Sequence, residues 1–200
     1  MLGLPKSTEL SKQLPKKAIY EKFNMNTAAR EKFDADISRI NIVSEVSPAT
    51  TNISEGEHVK SIYVLQVILK RKDFAPKTIS QISKLIDQNM LLALDFEGER
   101  KLAIFHAKLL QSDWKPSEEC SVRLAGLDLD TVWENLITQV GSIEIEQGHS
   151  LDEQIAVDEQ KENLEKEIAR LEKMARNEKQ PKKKFELVEI IKKLKRNLMK

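Results

Sequence analysis

Residues 149–200 carry a large apolar side chain at about every third or fourth position of an otherwise charged sequence. This spacing matches one face of an α-helix, and such a face is stable only when it packs against another apolar surface. Pro181 divides the segment, because proline has no N–H donor and disfavours helical backbone at the residue before it. We therefore predict two helices with a buried seam formed by Val157, Leu164, Ile168, Leu171, Leu187, Ile191, Leu194 and Leu198.

Two helices of this kind fold back as an antiparallel hairpin if the turn between them is tight. The same seam also fits a coiled coil between two chains, and the sequence leaves both arrangements open. Opposite charges favour pairing of the two helices. Residues 151–180 hold nine acidic and six basic side chains, whereas residues 182–200 hold eight basic and two acidic ones. A fold-back is expected to bring Lys195 and Arg196 near Glu159, Glu162 and Glu165.

Residues 1–148 mix the two-residue period of strands with the longer period of helices. The turn at Glu97, Gly98 and Glu99 lies between two apolar runs, which is typical of a β-hairpin. Strands are predicted at residues 17–22, 39–46, 58–70, 90–96, 100–110 and 120–124, and helices at residues 1–14, 28–37, 77–89 and 128–140. The sequence thus predicts an α/β (α+β) protein, with a mixed β-sheet domain and flanking helices at 1–148 and a charged helical hairpin or coiled coil at 149–200.

Composition narrows the class of protein further. The chain has 200 residues, of which 40% are hydrophobic, enough for one sizeable core. Its longest apolar run is about five residues, too short for a membrane span. The N-terminus lacks the basic region and apolar stretch of a secretory signal. Since Cys120 is the single cysteine, no internal disulfide can form. We expect a soluble cytoplasmic protein.

The sequence offers little for catalysis or cofactor binding. No glycine-rich phosphate-binding loop occurs, and His58, His106 and His149 lie far apart with no second ligand at metal-binding spacing. Cys120 follows two glutamates, which oppose formation of a thiolate. We therefore predict no cofactor, no metal site and no catalytic residue. The sequence favours a protein without enzymatic activity.

One arrangement resembles a nuclease site. Asp87 or Asp95, followed by Glu99 and Lys101, has the order of residues in which two carboxylates hold Mg²⁺ and a lysine stabilises developing charge. Glu99, however, lies beside the glycine of the predicted hairpin and is expected to point into solvent.

The second predicted helix is strongly basic and carries a candidate nucleic-acid interface. Neutralisation of phosphates by lysine and arginine releases counterions and drives such binding. A solvated helix face that pairs with the acidic helix is the favoured alternative, because no aromatic platform for stacking bases is expected among these cations. The candidate contact residues are Lys182, Lys183, Lys184, Lys192, Lys193, Lys195 and Arg196.

Several segments in order resemble a bacterial family known as a domain of unknown function, number forty-three ninety-one. They are residues 15–20, 33–40, 46–53, 59–70, 86–87, 91–94 and 101–104, and they include a family-like turn formed by Ser47, Pro48, Thr50, Thr51 and Asn52. The resemblance covers roughly residues 10–145 and leaves the helical tail outside. It implies a small accessory protein, often encoded beside DNA methyltransferases and helicases of restriction-like defence islands. It implies no catalytic residues.

The function predicted from these observations is that of a non-catalytic accessory or adaptor protein in a bacterial DNA-processing, anti-phage system. Its expected partners are proteins, such as a helicase or a DNA methyltransferase subunit, bound through the α/β domain and the helical tail. The tail is also a candidate for self-association, and no membrane is expected as a partner. The alternative is a nucleic-acid-binding protein that uses the basic helix, with a nuclease-like core.

Overall fold

The computed structural model describes residues 2–198, which divide into two compact units between Ile143 and Glu144. The first unit contains one mixed β-sheet with helices packed on it, which confirms the predicted fold class. Its elements are a short 3-10 helix (Lys6–Thr8), β1 (Glu9–Leu14), α1 (Lys16–Lys22), α2 (Thr27–Asp36), β2 (Ile37–Val46), β3 (Ile62–Leu69), α3 (Pro76–Ile82), β4 (Asn89–Phe96), β5 (Glu99–His106), β6 (Lys108–Gln111), β7 (Lys115–Pro116) and α4 (Leu129–Gly141).

The strands follow the order β1-β2-β3-β4-β5-β6, and β7 also pairs with β5. Neighbouring strands are antiparallel except β3 and β4, which run parallel and are joined through α3. A parallel pair requires such a crossover, because a tight turn reverses the chain direction.

Both faces of the central strands are buried. On one face, Leu92 and Leu94 of β4 belong to an apolar cluster that includes Ile19, Phe33 and Ile79 of the first three helices. The intervening Leu91 and Ala93 of β4 are equally inaccessible, and α4 packs against β5 and β6. The near-continuous apolar sequences of β3 and β4 are the signature of strands covered on both sides.

Local signals explain several element boundaries. The Asn26 side chain accepts a hydrogen bond from the Ala29 N–H at 2.9 Å and caps α2, which therefore begins at Thr27, one residue before the predicted start at 28. Asp128 begins α4 in the same way. Between β4 and β5, Glu97 and Gly98 both have positive φ, as a two-residue hairpin turn requires.

The N-terminal predictions were wrong. The segment predicted as helix 1–14 contains β1, because Lys12, Gln13 and Leu14 pair with the edge of β2. The segment predicted as strand 17–22 is helix α1, which Pro15 precedes in extended conformation. In α1, Ile19 is completely buried in the apolar cluster. Pairing and burial against distant residues override a short local pattern.

Other boundaries also differ from the predictions. The segment 120–124 forms no strand, because the Val122 N–H donates to the Leu2 carbonyl rather than to a neighbouring strand. The helix predicted at 77–89 ends at Ile82, and the strand predicted from His58 begins at Ile62. The strand predicted at 100–110 is divided into β5 and β6 at Ala107, which has a φ of +53°.

The second unit consists of two helices, α5 (Leu151–Asn177) and α6 (Pro181–Leu198). Ser150 and Glu153 form a capping box at the start of α5, which satisfies N–H groups that the first helical turn leaves free. The two helices pack against each other as a hairpin within one chain. None of the helices within residues 2–198 combines the length and apolar character that a bilayer crossing requires.

Most of the predicted seam lies between α5 and α6. Val157 and Leu164 are the exceptions, since both lie outside the apolar cluster; Val157 is 41% exposed and Leu164 is half-buried. Lys195 pairs at 2.8 Å with Glu172 rather than with the three glutamates expected earlier in α5. The reason is the length of α6, which has 18 residues against the 27 of α5, so that its last turn does not reach the first half of α5. The buried cluster comprises Ile168, Leu171, Ala175 and Ile191, with Leu187, Leu194 and Leu198 partly buried against it.

Candidate functional site

The nuclease-like residues are separated by the pleat of the β4–β5 hairpin. Asp95 lies directly opposite Arg100, so their side chains share one face of the sheet. Glu99 and Lys101 flank Arg100 and point to the other face. Asp87 lies outside the strands, in the segment before β4. The structure therefore does not bring these carboxylates and the lysine together.

Asp95, Glu99 and Lys101 each have a partner within the protein. Asp95 accepts from Arg100 Nε at 2.5 Å and Nη2 at 2.8 Å, and from Gln66 Nε2 at 2.7 Å. Glu99 forms an ion pair with Lys72. The Lys101 ammonium lies 5.6 Å from the centre of the Trp114 ring. These contacts hold the hairpin in place, and residues 2–198 contain no cluster of three or more His, Cys, Asp or Glu side chains that could hold a metal ion.

Asp95 belongs to a polar row that crosses four strands. Asn41 of β2 donates to Gln66 of β3 at 3.3 Å, Gln66 donates to Asp95 of β4, and Arg100 of β5 donates to the same carboxylate. The hydrogen bonds that Arg100 donates to Asp95 raise the pKa of Arg100 despite its burial. Each member of the row bonds to another member, so the row ties the four strands together.

The cysteine and two of the histidines occupy separate places. Cys120 is buried, and desolvation raises the pKa of its thiol against the lowering effect of nearby Arg100. Burial, rather than the charge of the two adjacent glutamates, is therefore the main cause of the raised thiol pKa. The Nδ1 atom of His149 lies 3.1 Å from Gln154 Oε1. His58 is exposed and lines a cavity that is described below.

The family-like turn is rigid. Thr50 Oγ1 donates to the Glu45 carbonyl at 2.7 Å and accepts from the Ser47 N–H at 3.0 Å, while Thr51 Oγ1 donates to the Ser47 carbonyl at 2.9 Å. An open groove of about 530 Å³ runs along it. Pro48, Thr50, Thr51 and Asn52 of the turn line this groove together with Pro5, Ser7, Ala49, Ile53 and Leu124.

The seven basic residues singled out on α6 are all exposed. Two of them have acidic partners: Lys192 pairs with Glu189 at 2.9 Å, and Lys195 pairs with Glu172. Lys195 lowers the pKa of Glu172 through its hydrogen bond to the carboxylate and through its positive charge. Within residues 2–198 the side chains of the other five make no hydrogen bond or ion pair, and they are Lys182, Lys183, Lys184, Lys193 and Arg196.

An aromatic side chain does lie among these cations. Phe185 follows the lysine triplet directly and is 66% exposed. It lies seven residues before Lys192 and eleven before Arg196, so helical periodicity places the three on the same side of α6. The expectation that no aromatic platform accompanies the basic residues was therefore wrong, and the sequence itself contained the signal.

Sequence reasoning missed a second cationic region, in the first unit. An open cavity of about 640 Å³ is lined by Lys22 at the end of α1, Lys60 before β3 and Lys84 after α3. These lysines come from three segments that are far apart in the chain. No local pattern could have shown that they converge.

Comparison with known proteins gives one match. No curated protein and no solved structure matches the chain significantly. A family model matches residues 2–198 and so includes both compact units. The extent expected from the resemblance, residues 10–145, was too short, since the α5–α6 hairpin is part of the family's own domain. The chain belongs to the family described as Domain of unknown function (DUF4391).

Proposed function

We propose that this chain is a non-catalytic accessory protein that binds a protein partner in a bacterial DNA-processing system of the restriction-like, anti-phage kind. The observation that carries the proposal is the exposed apolar surface of the α5–α6 hairpin. Four of the seven large hydrophobic side chains that are exposed within residues 2–198 lie on these two helices: Val157, Met174, Phe185 and Ile190.

Covering the exposed apolar side chains of the hairpin with a partner is favourable, because it removes apolar surface from water. Phe185 and Ile190 together expose much of their side chains on α6, at 66% and 48%. Aromatic and aliphatic anchors of this kind, surrounded by polar residues, dominate binding energy at protein interfaces. The seam side chains face inward, so these residues are free for contact with another protein.

The proposal predicts that a helicase or a DNA methyltransferase is encoded beside the gene and that it co-purifies with this chain. We expect a complex by size-exclusion chromatography with light scattering, weakened at least about tenfold by the double variant Phe185→Ser with Ile190→Ser. Leu127→Ser is the matched control, because Leu127 is 91% exposed but lies in the first unit. Equal binding by both variants would contradict a role of the hairpin, and the absence of any complex would contradict the adaptor function.

A second candidate function is nucleic-acid binding by α6. It is supported by the five basic side chains without acidic partners and by exposed Phe185 beside them. Cations supply affinity for phosphates, and an exposed aromatic ring can stack on an unpaired base. Lys192 and Lys195 are less available, since each already pairs with a glutamate.

This candidate predicts a steep salt dependence of DNA binding. The slope of log K against log salt approaches about −4.5 when all five unpaired cations contact phosphates of duplex DNA. Replacing those five by glutamine abolishes the slope, whereas Lys192→Gln with Lys195→Gln changes it little. Fluorescence anisotropy, with a labelled duplex and with a labelled single strand, measures the salt dependence for each set of variants. Equal slopes for the two sets of variants would rule out this interface.

A further inference from the structure

The lysine-lined cavity of the first unit brings like charges together without covering them. Lys22, Lys60 and Lys84 line it, with His58 beside them and Asp87 as the carboxylate of the lining. All four basic side chains are exposed. Three ammonium groups around one cavity raise the local positive potential, and an anion that enters relieves their repulsion.

Contacts with the protein hold these ammonium groups in position. Lys22 Nζ donates to the Leu85 carbonyl at 2.6 Å, and Lys60 Nζ donates to the Gly56 carbonyl at 2.9 Å. The Lys84 ammonium lies 4.4 Å from the centre of the Phe105 ring. Lys60 also pairs with Glu55 at 3.0 Å. An ammonium group has three N–H donors, so Lys22 and Lys84 keep donors for a ligand. Their positions are set before a ligand binds, which lowers the entropy lost on binding.

The loop that carries His58 and Lys60 is itself fixed. Three consecutive N–H groups, from Glu57 to Val59, donate to the carboxylate of Asp130 at the start of α4. Backbone nests of this kind bind anions, and here the protein's own aspartate fills the nest. The side chains on the other side of the loop are left to line the cavity.

We propose that this cavity binds a phosphate group, carried either by a small phosphorylated molecule or by the phosphorylated end of a nucleic-acid strand. Lysine acts as a point charge toward phosphate and needs no fixed bidentate geometry. A volume of about 640 Å³ lies within the range of ligand sites and admits a phosphorylated molecule the size of a mononucleotide. The proposal uses residues of the first unit alone and is independent of the function proposed for the hairpin.

His58 provides the reporter for a test with the full chain. The chain has three histidines, so the Cε1–H signals of His58, His106 and His149 can be followed separately by proton NMR and assigned by substitution. Titration with inorganic pyrophosphate at low ionic strength is expected to shift the His58 signal in a saturable way. The other two signals serve as internal references. No shift of His58 at millimolar pyrophosphate, or equal shifts of all three signals, would overturn the proposal.

Lysine variants test whether the cavity itself is responsible. The double variant Lys22→Gln with Lys84→Gln is expected to weaken pyrophosphate binding about tenfold, since each of the two substitutions removes one ion pair with the ligand. Lys22→Arg with Lys84→Arg keeps the charges and retains binding. Lys32→Gln with Lys77→Gln removes two exposed lysines of the same unit and is the matched control. Equal weakening by the control pair would show general charge attraction and refute a site.

Two further probes distinguish the sources of the phosphate. Deoxyadenosine monophosphate represents a small ligand, and a ten-nucleotide single strand with or without a 5′-phosphate represents a strand end. Stronger binding of the phosphorylated strand than of either other probe identifies the end of a nucleic acid. Binding of the mononucleotide as strong as that of the phosphorylated strand identifies a small molecule. Equal His58 shifts with both strands would contradict recognition of a terminal phosphate.

Discussion

Asp130 ties a loop of the chain to helix α4. Its carboxylate accepts from the N–H groups of Glu57 and Val59, both at 2.7 Å, and of His58 at 3.2 Å. Gly56 makes this approach possible, because a Cβ at that position would lie 2.4 Å from Asp130 Oδ1. Partial desolvation acts to raise the pKa of Asp130, but the three N–H donors outweigh it and lower the pKa. One side chain thus positions the loop that carries His58.

The lowered pKa of Asp130 predicts a pH-dependent contribution to stability. A carboxyl group whose pKa is lower in the folded than in the unfolded state stabilises the fold above its unfolded pKa, and this stabilisation is lost as pH falls through the folded pKa. Asp130→Asn is therefore expected to lower the melting temperature at pH 7, with a difference that shrinks as the pH falls below about 4.

Melting temperatures of the wild type and the variant, measured from pH 7 to pH 2.5, check this expectation. Glu118→Gln is a suitable control, since Glu118 is exposed and its change should leave the melting temperature unaltered at every pH. A constant difference between wild type and Asp130→Asn across the range would show that the charge of Asp130 plays no part.

At the scale of elements, the α5–α6 hairpin is held by a short stretch of its predicted seam. Leu171 is 7% exposed within the buried cluster, whereas Val157, on the same helix and in the same heptad position, is 41% exposed. The salt bridges of the hairpin are exposed and contribute little by comparison. Burial of apolar side chains therefore sets the stability of the pair.

Substitution at these two positions separates buried from exposed seam residues. Leu171→Ala is expected to destabilise the hairpin by about 2–3 kcal/mol, because it removes buried methyl groups and leaves a cavity. Val157→Ala should cost less than about 0.5 kcal/mol, as surface changes usually do. Amide hydrogen exchange of α5 and α6 in the full chain measures both. Similar losses of protection in the two variants would contradict the packing of the seam.

At the scale of the whole molecule, the start of the second unit, before α5, is the expected site of first cleavage. Glu144 and Glu146 are exposed and lie outside any helix or strand, and Ile145 between them is 45% exposed. Proteases cut exposed irregular backbone first, because it fits their active sites without unfolding. Brief digestion with a glutamyl endopeptidase should release a fragment that ends at residue 144 or 146.

Mass spectrometry of the early products checks this prediction. The double variant Glu144→Gln with Glu146→Gln should delay the first cut, while the later cuts remain. First cleavage inside α5, which contains several exposed glutamates, would show that the helix is less stable than the segment before it.

The sequence by itself determined the features whose causes are local. The 3.6-residue period predicted α5 and α6, Pro181 marked the boundary between them, and Gly98 located the β4–β5 turn. Each depends on residues within one or two turns of chain. The basic residues of α6 could be found in the same way, and so could Phe185 beside them.

Only the tertiary structure decided the features that depend on distant partners. The segment before Pro15 is a strand because β2 offers it an edge, and α1 is a helix because its Ile19 enters the core. The register of the α5–α6 hairpin placed Lys195 within ion-pair distance of Glu172. The cavity lysines come together because the β-sheet crossover brings the end of α1, the loop before β3 and the segment after α3 to one place. Such contacts are fixed by how the whole chain buries its apolar surface, and no local window of sequence contains that information.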